Sequence, residues 1–97
     1  MAFQITNAMK DAGIQTLPGE YTVVTDFVSL PQQIIVKPSH DWAAAVMLAG
    51  ESLSLCPIQI HALKITQSTV LGRINIECFN GEQLVCTVML CSESEDK

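Results

Sequence analysis

The sequence predicts a single α+β domain: an antiparallel sheet of about five strands packed around one buried central helix, over residues 40–50, with a short N-terminal helix. Three observations predict it. Runs rich in Val, Ile, Thr, Tyr and Phe recur between Gly, Pro and Asn residues, which is the chemistry of strands and turns. The octet Trp42–Ala49 is apolar throughout and is flanked by helix-terminating residues. The chain has 97 residues, near the commonest domain size, so one core is expected.

Taken in order, Ala2, Ile5, Ala8 or Met9, and Ala12 fall three or four residues apart and share one face of a helix, with Gly13 placed to close it at C′. Leu17-Pro18-Gly19 is a turn. Glu20–Leu30 reads as a strand, Pro31 interrupts, and Gln32–Lys37 is a second strand centred on Ile34, Ile35 and Val36 and ended by Pro38. Together these form a hairpin or a strongly bent strand. Ser39 is the expected N-cap of the central helix, Asp41 suits its first turn and Gly50 marks its far end. Because the octet between them is apolar on every side, such a helix has no wet face and is expected to be enclosed.

After Cys56-Pro57, the runs Ile58–Ile65, Val70–Phe79 and Leu84–Cys91 predict three consecutive antiparallel strands, the last two joined at Asn80-Gly81. A two-residue loop at Asn80-Gly81 splits the apolar residues between faces. A three-residue loop, Phe79-Asn80-Gly81, with Gly81 left-handed in a bulge, instead pairs Ile76 with Leu84 and Ile74 with Cys86 and makes one face continuous. The other face then carries Arg73, Asn75, Glu77 and Phe79 beside Val85, Thr87, Met89 and Cys91. That mixture is too apolar for an ordinary wet surface and predicts cover by a partner subunit.

Composition narrows the function classes. Hydrophobic residues make up 48% of the chain against 15% charged, enough apolar surface to offset ordering entropy, so disorder is expected only at the ends. Five scattered basic residues face ten acidic ones, a formal charge of −5, and this disfavours phosphate-backbone and hence nucleic-acid binding. The run Ser92–Lys97 favours a solvated acidic end, with the tail expected at 93–97 and the domain proper at 1–92. No secretory signal or bilayer-length apolar run stands in the sequence, which predicts a cytoplasmic chain without membrane contact. The four cysteines, Cys56, Cys78, Cys86 and Cys91, form no C-x-x-C, and none has a histidine at zinc-ligand spacing. Reduced thiols, no metal and no cofactor are expected.

His40-Asp41 is the single adjacent pair able to act as acid and base, placed where a helix N-terminus favours a carbonyl or anionic ligand. Its plainer reading is that Ser39 and Asp41 serve the helix end and His40 is exposed. His61, alternating with Ile60 and Ala62, is a half-exposed strand residue before it is a ligand. Cys78 and Cys86 fall on the inner face and Cys91 on the outer one, with no cation beside them to stabilise a thiolate. Local motifs for acyl, phosphoryl, hydride and metal chemistry are absent. Trp42 is expected to be a core anchor.

The order helix, two strands, all-apolar helix, three antiparallel strands, with the octet Trp42–Ala49, resembles the hotdog fold, in which a curved sheet wraps a central helix and two subunits pair. The resemblance implies acyl-thioester binding or chemistry of the thioesterase or dehydratase type, using His40 and Asp41. The residues themselves point first to a non-catalytic protein-binding or regulatory module, a homodimer acting through an acidic surface and the mixed outer face at Phe79, Val85 and Met89.

Overall fold

The computed structural model describes residues 5–14, 19–28, 33–68, 70 and 72–92, with the backbone alone at 33 and 38–40. Ala2, the turn at Leu17-Pro18, the break at Pro31 and the acidic tail at 93–97 lie outside these residues. The elements are α1 (Ile5–Asp11), β1 (Tyr21–Phe27), β2 (Gln33–His40), α2 (Trp42–Ser54), β3 (Ala62–Ser68), β4 (Arg73–Asn80) and β5 (Gln83–Ser92). They form the expected α+β fold: a five-stranded, wholly antiparallel sheet of order β2-β1-β5-β4-β3, with both helices on one face.

Helix α1 buries Ile5 and Met9, one turn apart, and ends as Gly13 predicts. The Gly13 amide donates to the Lys10 carbonyl at 3.1 Å and the Ile14 amide to the Met9 carbonyl at 3.0 Å, with Gly13 at φ +75°. This paired closure is the Schellman motif, and it needs a left-handed residue at Gly13. The helix then packs on α2 and on the edge of β3.

Strands β1 and β2 form the expected hairpin, but Pro38 does not end β2. The pairing slips by one residue between Val23↔Lys37 and Tyr21↔His40, so a bulge absorbs Pro38 and the strand continues to His40. A proline is tolerated there because β2 is an edge strand and a bulge leaves ladder positions unpaired.

Helix α2 departs from expectation at both ends. Asp41, not Ser39, is the N-cap: its Oδ1 accepts from the Ala44 amide at 2.9 Å with the extended backbone a cap requires, while Ser39 belongs to β2. Gly50 lies within the helix, which runs on to Ser54. Ala45, Val46, Ala49, Gly50, Ser52 and Leu53 are buried, whereas Ala43, Met47, Glu51 and Ser54 make an exposed stripe, Met47 at 65% exposure. The apolar octet is therefore covered on one side and open on the other, not enclosed. Three small residues, Ala45, Ala49 and Gly50, let the helix lie close on the sheet, and Trp42 meets Tyr21 edge-on with ring centroids 5.6 Å apart.

The core is the inner face of the sheet: Tyr21, Val23, Phe27, Ile74, Ile76, Cys78, Cys86, Val88 and Leu90, against α1 and α2. The predicted split of faces holds along β4, but the register does not. Ile76 pairs with Val88 and Ile74 with Leu90, and Asn80↔Gln83 closes a two-residue loop at Gly81-Glu82. Only the first of these two has positive φ, +65° at Gly81, as a type II′ turn requires. The extra residue sits inside β5, where Cys78↔Cys86 and Phe79↔Leu84 bracket Val85. Such a bulge turns two successive side chains to the same side, so Val85 joins Cys86 in the core at 1% exposure. Its expected place on the outer face is thereby corrected.

Candidate functional site

Alternation along each strand sends every second side chain away from the helices. The pairings align these outward residues in rows across the sheet. One row runs Ile34, Asp26, Thr87, Glu77, Lys64 and the next runs Val36, Val24, Met89, Asn75, Thr66. Each row passes from apolar at the β2 edge to polar at the β3 edge. Phe79 and Leu84, directly opposite one another, add a second half-buried apolar pair beside the hairpin turn.

No described residue covers this face. Ile34 is 62% and Val36 63% exposed, and Val24, Met89, Phe79 and Leu84 are half-buried by their neighbours within the sheet. Phe79 and Met89 stand on the outer face where the sequence places them. Val85, the third residue expected there, is in the core and cannot meet a partner. Ile34, Val36 and Val24 complete the patch; the sequence signal was the I-I-V run of β2, whose two outer members needed a register to be assigned.

His40 and Asp41 are separated by the boundary between two elements. His40 is the last residue of β2, opposite Tyr21, while Asp41 is exposed and its carboxylate is engaged as the cap of α2. His61 is exposed just before β3, where its amide donates to the Phe79 carbonyl at 2.8 Å. Among the described residues, no group of three or more His, Cys, Asp or Glu side chains is placed to hold a metal ion.

Three cysteines separated in sequence meet in space, which spacing alone could not show. Cys78 and Cys86 are direct cross-strand partners, and the Cys86 thiol also reaches Cys56, just beyond the end of α2. The hydrogen bond with Cys78, followed by burial, pushes the Cys86 thiol far above its ordinary value. Burial also raises the Cys56 thiol, opposed by a backbone hydrogen bond at Ile58. Both thiols are thus protonated at neutral pH and are poor nucleophiles. They serve as small apolar groups at the core's end.

Between α1 and α2 lies a cleft of about 170 Å³ lined by Thr6, Met9, Lys10, Ile14, Trp42 and Val46. It is smaller than the few hundred Å³ usual for an organic ligand. Among the described residues of the inner face, Thr25 is fully buried and its Oγ1 has no hydrogen-bond partner.

Comparisons with protein-family models, with curated proteins and with solved structures return no match. No described helix is long and apolar enough to cross a membrane.

Proposed function

We propose that this chain is a non-catalytic protein-binding module, a homodimer whose outer sheet face is its contact surface for another protein. One observation carries the reading: helices cover one side of the sheet, while the other side presents Val36, Val24 and Met89 in a continuous row with no described residue over it. An apolar strip with a polar margin is the usual anatomy of a contact surface. Asp26 and Glu77 lie in the adjoining row, and the chain carries a net charge of −5. A partner surface with basic groups around an apolar centre complements this pattern.

Among the described side chains, the acyl-thioester alternative draws no support from Asp41, whose carboxylate is engaged as the cap of α2. The reading is tested by presenting the wild-type domain and Met89→Lys as paired baits to an extract of the source cells. The expected result is a protein retained by the wild type and lost with Met89→Lys at matched folding. Identical retained sets for the two baits would sink it.

A further inference from the structure

We propose that a second copy of this chain joins the sheet at β2, its own β2 running antiparallel to the first about a two-fold axis at Ile35. This rests on the homodimer reading above and specifies its interface as the sheet edge.

The main chain supplies the first argument. The Val28 amide donates to the Val85 carbonyl at 3.1 Å, which fixes the phase of the β1/β5 ladder: Thr22, Val24 and Asp26 bond toward β5. The Ser92 amide, donating to the Gly72 carbonyl at 2.7 Å, fixes the same phase from the β4 side. Val23, Thr25 and Phe27 therefore bond toward β2, where their partners are Lys37, Ile35 and Gln33. The amides and carbonyls of Ile34 and Val36 are left pointing out of the sheet. Pro38 obeys the same phase, since its missing N–H falls on the open side.

The second argument is self-complementarity. With the axis at Ile35, Ile34 lies opposite Val36 of the second copy and Val36 opposite Ile34, so the outward groups form about four main-chain hydrogen bonds. Two β-branched pairs then meet on the outer face, beside the Val36–Val24–Met89 row. The single charge in the paired segment, Lys37, faces Gln33, so the chain's −5 is not concentrated at the seam.

The other edge supplies the contrast. On β3 the outward side chains are Ala62, Lys64 and Thr66, all exposed, and a lysine at the centre of an edge strand is one way an edge is kept from pairing. Residues 34–36 of β2 carry neither charge nor proline; Lys37, Pro38 and the bulge stand at the C-terminal end of the strand and confine the open segment to these residues. Pairing there yields one continuous sheet across both copies and doubles the outer face offered to another protein.

Light scattering at several concentrations tests this on the wild type, Val36→Pro, the double variant Ile34→Lys/Val36→Lys, and Met89→Lys. The proline removes an amide that β1 does not use, and the lysines set like charges opposite each other at positions 62% and 63% exposed. The expected result is twice the chain mass for wild type and Met89→Lys, and one chain mass for both edge variants, with circular dichroism and cooperative melting retained. If Val36→Pro fails to fold, the double variant decides. Edge variants that stay dimeric while Met89→Lys dissociates would overturn the edge interface and keep a homodimer through the face. A wild type that is monomeric throughout would overturn the homodimer reading itself.

Discussion

The two faces of one sheet differ in what covers them. Inward, Val23, Ile76, Val88 and Leu90 are buried at 0% exposure beneath two helices. Outward, their immediate chain neighbours Val24, Glu77, Thr87 and Met89 alternate in character and meet no described element. The inner face is a core in which, among the described residues, the Thr25 hydroxyl is buried without a partner. The outer face grades from apolar to charged, which a core does not tolerate and a purely wet surface does not need. The difference teaches that the core lies on one side of this sheet, while no described residue covers the other.

The sharpest way to break this comparison is to place a lysine on each face of β5. Val85→Lys buries a charge without a partner and is expected to cost more than about 4 kcal/mol, enough to abolish a cooperative thermal transition. Met89→Lys is expected to stay within about 1 kcal/mol of the wild type. Similar losses at both positions would erase the distinction between faces. A smaller effect of opposite sign is expected at Thr25. Thr25→Val removes a buried hydroxyl that has no partner and keeps the side-chain shape, so urea unfolding should show a gain of about 1 kcal/mol. A loss of that size would mean that the hydroxyl is satisfied.

Much of this was legible from residue types. Gly13 closes α1 and alternation along Arg73–Phe79 assigns the faces of β4 correctly, while Trp42, expected to anchor the core, is partly buried and packs against its edge. What alternation could not show is where it breaks. The bulge that turns Val85 inward arises because a two-residue II′ turn at Gly81-Glu82 imposes one parity and the apolar content of β5 demands the other; one inserted residue reconciles them. Pro38 was misleading for a related reason, since whether a proline ends a strand depends on whether its missing amide faces a neighbour. The octet of α2 implied burial all round, but its open stripe continues into Glu51 and Ser54, beyond the expected end at Gly50. Of the candidate site, Phe79 and Met89 were legible in the last hairpin. Ile34 and Val36 were not, because a strand's exposed side and its place at the edge are set by pairings remote in sequence.

The most direct test of the working surface is amide hydrogen exchange along β2 in the wild-type protein, from dilute to concentrated solution. The Ile35 amide, bonded to β1, should be protected at every concentration. Protection at Ile34 and Val36 should rise with concentration as a second copy closes the edge. Free exchange at both amides across a concentration range in which light scattering shows a dimer would contradict the edge interface, and protection of both in the dilute monomer would show that the edge is already covered.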